Sequence, residues 1–197
     1  MIFKSGSGPE LRRLASLHRA SLPDDILPML GEAYLTSFYR SILASSKELL
    51  FIERGDRNQI IGACLITFES ASLFRRTVMA TFPSLCIAFI GRFLFFKGLR
   101  QAVGAVLRPD PVQGSGSFDP QIAFLFVEQA ARRRLVGASL VAEACDHLKQ
   151  KGIAALYVKT RSEGPSSALA FYRSRGFNEQ GTLSFADRSY LMLRKSL

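Results

Sequence analysis

The spacing of apolar residues predicts two helices and then a β-hairpin in the first third of the chain. Leucines recur every three residues between Pro9 and Ser21, flanked by arginines, which is typical of an amphipathic helix. A second helix is predicted from Glu32 to Ala44. Two β-like runs, Leu49 to Glu53 and Gln59 to Phe68, enclose a Gly-Asp-Arg-Asn turn and predict an antiparallel pair.

The second half alternates between strand and helix patterns. Strand Gln121 to Val127, a helix from about Leu135 to Gln150 and strand Ile153 to Thr160 predict a right-handed βαβ unit with parallel strands. A short helix and two β-like runs follow: about Ser166 to Arg175, Phe177 to Phe185 and Ser189 to Arg194. Since neither an internal repeat nor a second set of elements occurs, one domain over residues 1–197 is expected.

A basic and apolar stretch separates the two halves. Residues 70–109 contain no Asp or Glu, carry six Lys and Arg, and include the most apolar run, Val78 to Phe96. This run has about the length of a membrane span, roughly 20 residues, but Pro83 and Arg92 interrupt it. We expect an apolar helical insertion that packs on the sheet or forms a homodimer interface, with contact to a membrane surface as the alternative.

The composition, 48% apolar and 21% charged residues, is that of a globular protein and excludes a disordered or collagen-like chain. The formal net charge of +10 favours anionic partners such as phosphorylated cofactors, nucleic acid or membrane head groups. Nucleic acid is not expected, because the sequence contains no recognisable nucleic-acid-binding motif.

The cysteines and histidines predict neither disulfides nor a metal site. Cys64, Cys86 and Cys145 have no CxxC spacing and are expected to be reduced. His18 and His147 lack partner spacing and are interpreted as surface or packing residues. The N-terminus has no signal-peptide pattern, so a cytoplasmic location is predicted. The stretch 70–109 leaves peripheral attachment to a membrane open as an alternative.

Two segments carry candidate chemistry. The first follows strand Gln121 to Val127 and reads Arg132-Arg133-Arg134-Leu135-Val136-Gly137-Ala138-Ser139. Small residues at a helix start let an anion approach the unpaired N–H groups there, although a solvated basic turn explains these residues equally well. The second reads Ala168-Leu169-Ala170-Phe171-Tyr172-Arg173-Ser174-Arg175-Gly176-Phe177. Its aromatic pair belongs either to the core or to a ligand site at the strand ends.

Together the two segments resemble the Gcn5-related N-acetyltransferases. Val127 precedes Arg132 by five residues, and Arg132-x-x-Leu135-x-Gly137 is similar to the family's loop R/Q-x-x-G-x-G/A. The second segment matches the family's motif A-x-x-F-Y-x-x-x-G-F in full. Two departures occur: Leu135 replaces the first glycine, and Pro165 stands where many members have Asn.

The resemblance implies an α/β (α+β) fold. Its central sheet is mixed and mostly antiparallel, is flanked by helices, and includes a βαβ unit at the cofactor site. The apolar helical insertion predicted at about 70–109 would be added to this fold. It also implies acetyl-coenzyme A (acetyl-CoA) as co-substrate. The pantetheine arm would lie beside Leu125, Phe126 and Val127. The diphosphate would lie on the segment Arg132, Arg133, Arg134, Leu135, Val136, Gly137, Ala138 and Ser139.

The reaction implied is direct transfer of an acetyl group to a primary amine. Tyr172 would protonate the departing thiolate, and the N–H of Val127 would polarise the thioester carbonyl. Asp119, Glu69 or a water would act as general base. The net charge favours a small anionic acceptor over a polyamine. The alternative function is a peripheral membrane or partner-binding protein built on an inactive acyltransferase scaffold.

Overall fold

The computed structural model describes residues 1–23, 25–81, 119–161, 167–185 and 188–197. In these ranges the helices and strands follow the order that the apolar pattern predicts, with one additional short helix. The helices are α1 (Gly8–Ser21), α2 (Ile26–Met29), α3 (Glu32–Ala44), α4 (Ser70–Ala80), α5 (Val136–Gln150) and α6 (Ser167–Ser174), with a 3-10 turn at Gln129–Ala131. The strands are β1 (Glu48–Arg54), β2 (Ile60–Thr67), β3 (Gln121–Val127), β4 (Ala155–Arg161), β5 (Asn178–Phe185) and β6 (Arg188–Ser196).

The strands form one six-stranded sheet in the order β1-β2-β3-β4-β6-β5. Every neighbouring pair is antiparallel except β3 and β4, which run parallel and are connected through α5. The predicted mixed, mostly antiparallel sheet with a βαβ unit is therefore confirmed.

Helices cover both faces of the sheet. On one face, hereafter the α1 face, α1 and α3 bury a core with β1, β2 and Phe126 of β3. On the opposite face, the α5 face, Leu140, Ala144 and Leu148 of α5 pack against the strands, and Tyr172 of α6 joins the same core. Because side chains alternate along a strand, β1, β2 and β3 each supply residues to both cores, whereas β4 and β6 supply the core of the α5 face.

The parallel pair at the centre of the sheet is short. Only two residue pairs join β3 to β4, Gln121 with Tyr157 and Ile122 with Val158. A β-bulge in the pairing of β3 with β2 makes Ala123 an extra residue, and such bulges bend a strand. Beyond these pairs the two strands separate and leave a gap between residues 123–127 and 159–161, hereafter the wedge.

Several details differ from the sequence predictions. The four-residue helix α2 was missed, because no element was predicted between Ser21 and Glu32. The predicted insertion begins as a helix at Ser70, and the rest of it, from residue 82 to 109, lies outside the described residues, as do Cys86 and Pro165. In the part of the chain that the structure describes, no helix is both long and apolar enough to cross a membrane.

Candidate active site

One edge of β3 faces the wedge with main-chain groups that β4 does not pair. The N–H of Glu128 bonds to the carbonyl of Ile61 on β2 at 2.8 Å. In an antiparallel pair, the main-chain groups of successive residues point alternately toward and away from the partner strand. The N–H and C=O of Phe126 therefore point to β2. Those of Leu125 and Val127 point away from β2, into the wedge. Of the three strand residues predicted at the cofactor, two present their backbone there.

The loop after β3 turns back through two left-handed residues. Arg133 has φ 62° and Leu135 has φ 64°, and Arg132 donates from Nε to the carbonyl of Val127 at 3.2 Å. Arg132 itself is extended, and the two left-handed residues after it turn the chain into the start of the next helix. Leu135 is 72% exposed, so its side chain lies in solvent. It stands at the position of the first glycine of the family motif, and its backbone has the positive φ that glycine adopts readily.

Helix α5 begins directly after this loop and no side chain caps it. Its first helical hydrogen bond runs from the N–H of Ser139 to the carbonyl of Leu135 at 2.8 Å. The N–H groups of Val136, Gly137 and Ala138 precede that bond and have no acceptor within the helix. A helix start of this kind, next to three arginines, attracts an anion with both its N–H groups and its dipole.

The two sequence motifs meet at the start of α5. A Cβ atom placed on Gly137 would lie 3.5 Å from the ring of Phe171 and 3.6 Å from Cγ2 of Val127. Phe171 of α6 therefore packs beside both the first turn of α5 and the end of β3. A Cβ atom at position 137 would make ordinary van der Waals contacts, so the approach of these three elements does not require a glycine there.

Tyr172 is buried next to this junction, with 7% of its surface exposed. Its ring makes edge contacts with Phe171 and Phe177 at centroid distances of 5.2 and 5.4 Å. Burial, with a smaller contribution from Cys64, raises the pKa of Tyr172 well above its ordinary value of 10. The hydroxyl therefore keeps its proton throughout the neutral range and is a weaker acid than that of an exposed tyrosine.

The two carboxylates considered as general base have structural partners. Glu69 pairs with Lys47 at 2.7 Å and with Arg76 at 2.9 Å. The hydrogen bond from Lys47, followed by that from Ser72, lowers the pKa of Glu69, which weakens it as a base. Asp119 accepts the N–H of Ser70 at 3.1 Å, at the start of α4. Both lie at the end of the sheet where β3 begins, away from Val127.

The two histidines and the two cysteines that the structure describes lie in the core or against it. His18 is fully buried, its ring stacks on Phe126 at 5.0 Å, and its Nδ1 lies 2.7 Å from the hydroxyl of Tyr39. His147 lies against Phe51, and Cys64 and Cys145 are buried thiols. Among the described residues, no three His, Cys, Asp or Glu are grouped to hold a metal ion.

The acetyltransferase (GNAT) family model matches residues 14–177, which include β3, the arginine loop and Tyr172. The chain belongs to the acetyltransferase (GNAT) family. The resemblance seen in the sequence and the prediction of an acyltransferase are thereby confirmed. No curated protein matches the sequence.

Solved structures of acetyltransferases share this fold. One, described as an acetyltransferase, is 15% identical over 100% of this chain and 98% of its own, with a TM-score of 0.63. The ribosomal-protein-alanine N-acetyltransferase of Brucella melitensis is 16% identical over 100% and 99%, with a TM-score of 0.61. The PaiA N-acetyltransferase of Thermoplasma acidophilum, solved with coenzyme A, is 15% identical over 100% and 98%, with a TM-score of 0.57. At such identities the likeness shows the fold alone.

The side chains on the α1 face of the wedge were not predicted from the sequence. Lys159 and Arg161 of β4 and Tyr190 of β6 lie there. Lys159 and Arg161 stand two residues apart at the end of a predicted strand. This spacing could have indicated that both side chains lie on one face of the sheet, because alternate residues of a strand share a face. The catalytic and binding roles of individual residues stay predictions.

Proposed function

We propose that the protein transfers an acetyl group from acetyl-CoA to a primary amine by direct attack in the wedge. The observation that carries this proposal is the free edge of β3, which leads directly to the uncapped start of α5. We also propose that residues 1–197 form one acetyltransferase domain, in keeping with a family match that extends from residue 14 to residue 177.

The strand edge and the helix start fit different parts of acetyl-CoA. The N–H and C=O of Leu125 pair with the amides of the pantetheine arm, as an added strand would. The N–H groups of Val136, Gly137 and Ala138 bind the diphosphate, and the arginines of the preceding loop add positive charge. A relative of similar fold was solved with coenzyme A, which supports this assignment.

The transfer needs one new bond, one broken bond and one proton at the leaving group. The acceptor nitrogen attacks the thioester carbonyl, the C–N bond forms, and the C–S bond breaks. The N–H of Val127 stabilises the negative charge that develops on the carbonyl oxygen. Tyr172 gives its proton to the departing thiolate, and water accepts the proton that the amine loses. The net charge of +10 favours a small anionic acceptor.

Amide hydrogen exchange tests the binding assignment residue by residue. Without ligand, we expect the amides of Leu125 and Val127 to exchange faster than that of Phe126, which β2 pairs. Saturating acetyl-CoA should slow the exchange of Leu125 and Val127 by about tenfold or more and leave Phe126 nearly unchanged. Equal protection of all three amides without ligand, or no change on its addition, contradicts the assignment.

The variant Tyr172→Phe tests the acid, because it removes one hydroxyl from a buried ring. We expect kcat for release of coenzyme A in the presence of an amine to fall about 100-fold or more, with little change in acetyl-CoA affinity. Tyr34→Phe, which removes the hydroxyl of another buried tyrosine on α3, is the matched control. Full activity of Tyr172→Phe would remove the proposed role.

A further inference from the structure

A basic and aromatic surface lies beside the wedge on the α1 face of the sheet. Leu156 and Val158 of β4 pack into the core of the α5 face, so the alternate residues Lys159 and Arg161 point to the α1 face. Tyr190 of β6 pairs directly with Arg161 and therefore lies on the same face. We call Lys159, Arg161 and Tyr190 the basic patch.

The basic patch borders the wedge on the side away from the proposed diphosphate site. Lys159 follows Val158, the last residue of β4 that pairs with β3. Phe124 of β3 also faces α1, across the gap. The start of α5, where the diphosphate is proposed to bind, lies on the α5 face, so acetyl-CoA would reach the wedge from the α5 face. The α1 face is then the side from which an acceptor approaches.

The charges of the basic patch are only partly compensated. Lys159 forms no ion pair with a described residue, and its Nζ lies 5.8 Å from the ring centroid of Tyr190. Arg161 pairs with Asp25 of the segment between α1 and α2 at 3.4 Å, and both side chains remain more than a third exposed. An exposed pair at this distance is weak, so Arg161 keeps its capacity to bind another anion.

We propose that the acceptor is a primary amine that also carries a carboxylate or phosphate, and that Lys159 and Arg161 bind this anionic group. Arginine forms paired hydrogen bonds with either group, and lysine adds a point charge. The ring of Tyr190 packs against the carbon skeleton between the amine and the anion. A diamine is disfavoured, because its second ammonium group would face two positive side chains. This inference rests on the proposed function.

Four short amines test the inference: β-alanine with a carboxylate, phosphoethanolamine with a phosphate, neutral ethanolamine and cationic putrescine. We expect kcat/KM for at least one anionic amine to exceed that for ethanolamine by about tenfold, with putrescine lowest. The better of β-alanine and phosphoethanolamine identifies the anion. Lys159→Gln and Arg161→Gln should each reduce the preference for it several-fold, chiefly through KM.

Lys149→Gln is the matched control, because it removes one positive charge from an exposed position of α5. It should keep the preference for the anionic amine. Equal kcat/KM values for all four amines, or a preference that survives both patch variants, would overturn the inference while the acetyltransferase function stands.

Binding of the same amines to the protein loaded with coenzyme A, measured by calorimetry, separates the two proposals. The inference is supported if the protein binds an anionic amine selectively and Arg161→Gln weakens that binding. This support holds even if no acetyl group is transferred and the proposed function fails. Absence of saturable binding of both anionic amines overturns it.

Discussion

Leu135 holds a backbone conformation that leucine rarely adopts. Its φ of 64° places Cβ close to the following carbonyl, which costs about 1–2 kcal/mol for an L-residue. Its side chain is 72% exposed, so burial recovers little of this cost. The conformation nevertheless turns the chain so that α5 starts at Val136 with its N–H groups uncovered. The fold thus retains the turn of the glycine motif without the glycine.

Replacement of this leucine tests whether strain is stored there. Leu135→Gly should raise the free energy of unfolding by about 0.5–1 kcal/mol, because relief of the left-handed strain exceeds the entropy cost of glycine. Leu135→Ala is the control, since it shortens the side chain but keeps the strained φ, and it should give no gain. Chemical denaturation of the three proteins measures the difference. A loss of stability in Leu135→Gly would mean that the leucine side chain makes a stabilising contact.

His18 should make stability depend on pH. Burial lowers the pKa of His18 from 6.5 to about 4, so the folded protein keeps it neutral where the unfolded chain becomes protonated. The unfolded state therefore binds more protons between these values, and stability falls as the pH falls from about 6.5 toward 4. Between pH 7 and pH 5 the loss from this group should be about 2 kcal/mol.

The variant His18→Phe isolates this contribution. It keeps an aromatic ring between Phe124 and Phe126 but removes the titrating group and the hydrogen bond to Tyr39. It should be less stable than the parent at pH 7 but lose less stability on acidification to pH 5. Parallel pH profiles of the two proteins, measured by urea unfolding, would assign the acid sensitivity to other groups.

At the scale of elements, the bounds of a strand or helix were predicted correctly where its apolar residues recur at a regular spacing. Strand β3 has the predicted bounds, Gln121–Val127, and α3 has the predicted bounds, Glu32–Ala44. Both have apolar residues at a regular period between clear breaks. Helix α2 was missed because four residues, one of them Pro28, are too few to establish a period.

The wedge, in contrast, could not be predicted from residue pattern. The β-like runs of β3 and β4 contain nothing that limits their pairing to two residues, because separation depends on the bulge at Ala123 and on packing against other elements. The resemblance to a family predicts that the co-substrate would lie beside β3, and this location stays a prediction. The structure adds that the main-chain groups of Leu125 and Val127 point into the wedge, where the carbonyl of Val127 accepts from Arg132, whereas those of Phe126 point to β2.

At the scale of the whole molecule, the charge of +10 and the local cluster of arginines suggest two different ways to attract an anionic co-substrate. A net charge acts over long distances only at low ionic strength, since the Debye length is about 10 Å at 0.1 M salt. Arg132, Arg133 and Arg134 lie within one loop beside the uncapped start of α5. At physiological ionic strength the local cluster should therefore dominate the association.

The salt dependence of the association rate distinguishes attraction by the net charge from attraction by the three loop arginines. We expect the rate constant for acetyl-CoA, measured by stopped flow, to fall by about tenfold or more between 20 mM and 500 mM salt. Replacing the three loop arginines by alanine should abolish most of this slope. The control replaces Arg57, Lys149 and Lys151 by glutamine, which also lowers the net charge to +7 but at exposed positions outside the loop. It should keep most of the slope. Equal slopes for the two triple variants would assign the attraction to net charge, and the arginine loop would then have no special part in capturing the co-substrate.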